Sequence, residues 1–419
     1  MLAWKPLIAI RAGALAAALC SAAGAHAGHE VPYYPSFYPQ EIRIEPLDPA
    51  RAAGEFGNAA DPLHAHLGAS PRFSGEAPAW LKSVVSLRSF ITARIDPQRV
   101  PDRDTRCRAI ASAANALMAK PDVVPHRYPV TPYHADYLGH ADLVTRATPA
   151  AGAGSAEADV RFDEAPIDQV LGQAGIALAN WPSPPWAKEG WFQAYHLLKD
   201  ALSDAAGRKR ADEVYARLAD GEFRDPTERL SLERDLIAAL TRGCEVAVVA
   251  YRIRREFYSD DFSNGIENIL VDSQSGFNSP VFVRTVKLKD FPWNGWLRLG
   301  IAEPPQAAWN PVAGFTDAPG RLVWSAVGDN AFLPIPHNSR WVQNRVEVRP
   351  EEDKPRQSLR VPADAVMPER ATGRLGPIGA AAGATAKVTY RVLAAAFHDG
   401  SEMEAADLLY PHAFAVRWG

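Results

Sequence analysis

Two groups of side chains in this sequence have the types and spacing to do chemistry. In "LHAHLG", His64 and His66 alternate, which puts both imidazoles on one face of an extended segment. In "YHADYLGH", His134, Asp136 and His140 gather in one short stretch. Imidazole and carboxylate are ligands that Zn²⁺ and Cu²⁺ take from proteins. Neither group has the HExxH spacing of a zinc hydrolase. Both read as scattered surface histidines, and no metal and no cofactor is expected. A GxSxG nucleophile elbow and a GxxxxGK[ST] phosphate loop are absent from the sequence. His398-Asp399 has the residue types of a catalytic pair, but Gly400 follows, and Asp-Gly is a turn dipeptide. The chain reads as non-catalytic.

The first residues place the protein in its compartment. "MLAWKPLIAIRAGALAAALCSAAGAHA" combines Lys5 and Arg11 with an apolar run over 12–23 and the small residues Ala25 and Ala27. That is the pattern of a secretory signal peptide over 1–27, cut before Gly28, so a periplasmic protein is expected. No later stretch approaches the ~20 apolar residues needed to cross a bilayer, and the mature chain is expected not to be membrane-embedded. Export leaves Cys107 and Cys244. An oxidising compartment permits a disulfide between them, and two separately buried thiols fit the sequence equally well. A net charge of −4 gives no electrostatic footprint for nucleic acid.

Elements that would position these residues alternate between two periodicities. "EIRIEPLD" alternates as a half-buried strand does, "PARAAGEF" opens with Pro49 as a helix can, and "LHAHLG" reads as a second strand. "WLKSVVSLRSFITARID" reads as two more strand-like runs. Over 102–119 the stripe of Ile110, Ala114, Leu117 and Met118, capped by Asp102 or Asp104, predicts a helix. Residues 148–158 read as a flexible connection, 168–242 as a helical region, and "EVAVVAYRIRREFY" as a strand. The remainder to about Val348 reads as strand and loop. Near the end, "AKVTYRVLAAAF" predicts a strand, Asp399-Gly400 a turn, and Ser401 with Glu404 a capping box. Pro411 should kink or restart the helix that follows.

The wording of that last segment is more specific than its physics. "FHDGSEMEAADLLY" resembles the hallmark segment of the peptide/nickel-type (family 5) extracellular solute-binding proteins of ABC transporters. Phe397, His398, Asp399, Gly400, Ser401, Ala405, Asp407, Leu408, Leu409 and Tyr410 fall in the family's places, preceded by "KVTYRVL". Pro411 departs from the pattern. Weaker echoes follow an unusual order. Segments over 28–292 resemble the second half of such a fold, and 293–419 resembles its start. The resemblance thus implies either a permuted fold or a second copy that is incomplete at the C-terminus.

What the resemblance implies is an α/β protein with periplasmic-binding-protein-like (type II) lobes, mixed sheets flanked by helices. It would bind a peptide or other small solute without chemistry and deliver it to an ABC permease in the inner membrane. Trp186, Trp191, Trp293 and Trp296 stand in Pro- or Gly-flanked loops and are the candidate ligand contacts of an aromatic inter-lobe cleft. Two other classes stay open, an exported metal-binding protein or hydrolase, and a scaffold that keeps the fold without a ligand. An unfinished lobe would leave Leu408, Leu409 and Phe414 without a sheet to cover them.

Overall fold

The computed structural model describes residues 39, 41–117, 120–147, 159–176, 183–290, 295–310, 314–328, 330–338, 340–349, 359–379, 382–384, 387–397 and 399–418. The leader expected over 1–27, the connection expected over 148–158, Trp293 and His398 lie outside the described residues. The described chain divides into two compact units, one within Phe37–Val342 and the other within Gln343–Gly419. The boundary expected at 293 therefore falls inside the first unit, because the strand just after it belongs to that unit's sheet.

In the first unit the chain runs β1 (Glu41–Pro46), α1 (Pro49–Glu55), β2 (Ala65–Leu67), β3 (Leu81–Arg94), α2 (Arg103–Ala113) and β4 (Val123–Pro125). Then come α3 (Tyr137–Ala147), β5 (Arg161–Pro166), α4 (Ile167–Gln173), α5 (Gly190–Leu198), α6 (Ala205–Ala219) and α7 (Pro226–Thr241). The last part holds β6 (Val246–Ser259), β7 (Ile266–Glu267), α8 (Pro280–Thr285), β8 (Lys287–Leu288), β9 (Trp296–Ile301), α9 (Ala318–Val327), β10 (Phe332–Pro334) and β11 (Trp341–Gln343), whose last residue is the first of the second unit. Aspartates start five of these helices. Asp48, Asp102, Asp204, Asp225 and Asp317 each accept backbone N–H bonds at an N-cap, each cap contributing about 1 kcal/mol.

Seven strands form one mixed sheet in the order β1-β9-β2-β6-β3-β5, with β4 also paired to β6. β1, β9 and β2 run parallel, while β6 is antiparallel to β2, β3 and β4. The two runs expected over 80–96 are one long strand, β3, whose register against β6 shifts twice. Period-2 alternation sends neighbouring residues to opposite faces. Phe90 and Val248 join a core with α4, α5, α6 and α7, whereas Ile91 and Val249 join a core with Ala109 and Ile110 of α2. Both faces of the sheet are covered. The segment read as strand and loop also contains α8 and α9, too short or too glycine-bearing for periodicity to show.

Cys107 of α2 and Cys244, in the turn before β6, are joined in a disulfide with a Cα–Cα distance of 5.2 Å. Cys244 sits at φ 48°, in the left-handed region that side chains other than glycine resist. The bond thus fixes the α7–β6 turn onto the helix behind the sheet.

The second unit carries antiparallel pairs β12 (Val346–Arg349) with β17 (Thr389–Val392), β13 (Leu359–Arg360) with β16 (Gly383–Ala384), and β14 (Val366–Pro368) with β15 (Leu375–Pro377). Its helix is α10 (Ala405–Trp418). Gly400 takes φ +84°, as the turn requires. The expected capping box does not form. Ser401 donates from both N and Oγ to Asp399, at 2.9 and 2.7 Å, and the helix start is closed by Asp407, which accepts from Glu404 N at 2.7 Å. Pro411 lies within α10 without ending it, and no described residue of that helix is buried. Leu409 is 45% exposed and Trp418 56%.

Candidate functional site

A cavity of about 990 Å³ opens in the Phe37–Val342 unit. It lies where the three parallel strands end: Pro49 shortly after β1, Gly68 after β2 and Ala302 after β9 all line it. Chains leaving parallel strands in different directions open a crevice at the carboxyl ends, the usual place for a ligand in an open α/β sheet.

Arginines reach this cavity from irregular backbone. The register of β3 on β6 passes from Leu87–Ile253 to Ser89–Arg252, which leaves Arg88 as the extra residue of a β-bulge. A bulge re-aims a side chain out of the strand's alternation, and Arg88 lines the cavity. Arg72 lines it from the loop after β2. Neither guanidinium hydrogen-bonds to a described residue. Arg254 is half committed: it donates to Ser86 Oγ at 3.3 Å and to the Gln274 carbonyl at 2.7 Å. Arg252 is held by both oxygens of Glu164, at 3.1 and 3.2 Å. Asp317 is likewise committed, to the amides of Gln306, Ala307 and Gly320. Asp168 and Glu303 add carboxylates, so the walls offer both signs of charge.

Buried polar groups hold the cavity's loops in place. Glu256 accepts from the amides of Gly68 and Phe277, tying the loop after β2 to the loop over 272–278. Burial raises the pKa of this carboxyl. A Cβ on Gly276 would stand 1.7 Å from Glu256 Oε2, at a backbone φ of +63°, so only glycine fits there. Lys188 forms a buried ion pair with Asp272, whose other oxygen accepts from Gln274 N at 3.0 Å and Ser275 N at 2.9 Å. Gln193 of α5 donates to the Ala187 carbonyl and to Gln274 Oε1, at 2.7 and 2.9 Å. These groups connect the helical layer to the cavity floor.

No family model matches the chain, and none of the curated proteins matches it. The reading of the site therefore rests on its own residues.

The tryptophan expectation does not describe this cavity. Trp191 is 5% exposed, on α5 within the main core, and its Nε1 donates to Glu189. The segment "KEGWFQAYHLL" is apolar on most sides of the helix, and Trp191 belongs to that core rather than to a loop. Trp186 is half exposed against the edge of Phe192 and does not line the cavity. Trp296 opens β9, at the opposite end of that strand from Ile301 and the cavity. Sequence reasoning missed Arg88, Arg254 and Lys188. Only the charges interrupting apolar runs marked them.

His64, His66, His134 and His140 are buried, not scattered on the surface. His64 Nδ1 accepts from Arg298 N at 3.0 Å, and His66 contacts the carbonyls of Ala69 and Leu47 at 2.9 and 2.8 Å. His134 accepts from Thr131 N through Nδ1 and meets Gln193 Oε1 through Nε2. Both of its nitrogens are used. His140 differs. It and Asp136 meet Glu233 of α7, a residue that sequence reasoning did not connect with them.

Burial pushes the pKa of His64 and of His196 down to about 4. Their neutral forms belong to the folded state, while in the unfolded chain each takes a proton near pH 6.5. The contribution is complete above pH 6.5 and is lost as pH falls toward 4, amounting to roughly 2 kcal/mol per histidine at pH 5. Urea unfolding at pH 7.5 and pH 5 should show this loss. His196→Asn should remove about half of the two histidines' share, and an unchanged slope in that variant would refute the assignment. Glu256 works in the opposite sense, which is why the comparison is between wild type and variant.

Proposed function

We propose that this chain is an exported, non-catalytic solute receptor serving an ABC-type importer, and that its ligand is a small charged solute such as a short peptide. The cavity at the ends of the parallel strands carries this reading. Its volume of about 990 Å³ sits near the top of the range of small-molecule sites, roughly 300–1,000 Å³. Two guanidiniums that hydrogen-bond to no described residue, Arg72 and Arg88, stand in the same cavity as the carboxylates of Asp168 and Glu303. That pairing suits a ligand carrying a carboxylate and an ammonium. Charged hydrogen bonds, rather than stacked aromatics, would hold it. The importer role comes from the likeness of the segment over 397–410 to the solute-binding family.

A thermal-melt screen tests the proposal with amino acids, short peptides, dicarboxylates and neutral sugars. A ligand that binds only the native state at one hundred times its Kd adds about 2.7 kcal/mol. Carboxylate-bearing solutes should raise the midpoint, and Trp186→Ala and Trp296→Ala should leave that shift intact. No shift from any class, or a shift abolished by those tryptophan changes, would overturn this site.

A further inference from the structure

We propose that Asp136, His140 and Glu233 bind a divalent cation of borderline softness, Zn²⁺ first among them, in the helical layer of the Phe37–Val342 unit. One potential ligand atom from each of the three lies within 4.8 Å of the others. His140 is fully buried, and its Nε2 has no hydrogen-bond partner. That nitrogen faces Glu233 Oε2 at 3.6 Å and Asp136 Oδ2 at 3.9 Å. Those separations are too long for hydrogen bonds. The first matches two ligands of one ion, since bonds of about 2.0–2.2 Å near the tetrahedral angle put ligand atoms roughly 3.3–3.6 Å apart, and the second would have to close by about 0.3 Å on binding.

Each ligand is also fixed from behind, as metal ligands are. The other ring nitrogen of His140 meets the Tyr128 hydroxyl at 2.9 Å. Asp136 accepts from the amides of Gly190 and Trp191, at the start of α5, at 2.7 and 3.1 Å. Arg229 donates to the far oxygen of Glu233 at 2.8 Å and also to Glu189. Two buried carboxylates thus flank the His140 imidazole, a donor set that suits a dication. Its ligands come from the start of α3 and from α7, with α5 behind them, so the ion would pin these three helices together.

Elemental analysis of the full, untagged, exported protein should find close to one zinc per chain. After dialysis against a chelator, added Zn²⁺ should raise the thermal midpoint, and Glu233→Gln should bind Zn²⁺ at least tenfold more weakly. X-ray absorption at the zinc edge of the loaded wild type should show one imidazole with oxygen ligands, a readout that stands even where the variant does not fold. The proposal fails if the demetallated wild type shows no zinc-dependent midpoint. It fails too if Glu233→Gln binds as well as wild type, or if the edge shows two or more imidazoles. In those cases the cluster is a buried polar triad that holds no metal.

Discussion

Replacing Cys107 and Cys244 together with alanine is expected to lower the stability of the Phe37–Val342 unit by about 3–5 kcal/mol. The two residues are separated by 137 positions, so their bond closes a loop that takes in α3 to α7. Closing a loop of that length restricts the unfolded chain strongly, and in the chain-entropy account the gain grows with the logarithm of loop length. The bond also holds Cys244 at φ 48° beside Arg106, whose guanidinium donates to the Gly243 carbonyl at 3.0 and 2.9 Å. Freed of the bond, that turn keeps Arg106 and Arg103, which donates to the Arg242 carbonyl at 2.7 Å. Urea unfolding of oxidised wild type against the double variant measures the difference. A loss under about 1 kcal/mol would show that Arg106 and the core already fix the turn.

Lys188→Met should cost a similar amount, about 3–5 kcal/mol, because it strands a charge. Asp272 is fully buried, and Lys188 supplies its counter-charge. The amides of Gln274 and Ser275 would remain on one oxygen, and the other would face a thioether. The double change Lys188→Met with Asp272→Asn removes the stranded charge and should recover at least half of the loss. A single variant as stable as wild type would mean that the loop over 272–276 reopens to water at little cost. A double variant no better than the single would put the effect in packing rather than charge.

Much of the architecture was legible because it follows from periodicity and capping. β1, α1, β2, the start of α2 and β6 lie where alternation, Pro49 and Asp102 indicate, although α2 ends at Ala113, short of the 119 expected. The single long β3 was not legible as one strand, since its register shifts break the alternation that sequence reading relies on. Capping failed at Ser401 because two acceptors compete there: Asp399 takes the serine, and Asp407 takes the helix start. The site was less visible than the fold. Its members come from segments joined only by the parallel strands' common end, and no local spacing announces that. Glu233 did leave a trace, standing three and four residues before Leu236 and Ile237 on the buried stripe of α7. A carboxylate on a buried stripe needs a partner, and the one it faces is His140.

The most direct test of the receptor account is equilibrium binding of the best solute from the melt screen to wild type and to Arg88→Ala. Arg88 lines the cavity, is turned toward it by the bulge, and hydrogen-bonds to no described residue. Removing it should therefore disturb the ligand more than the fold. A hydrogen bond to a charged group is worth about 1.5–3 kcal/mol, so the account predicts affinity weakened by roughly ten- to a hundredfold with an unchanged unfolding midpoint in the absence of solute. Binding of the same strength in both proteins would contradict it.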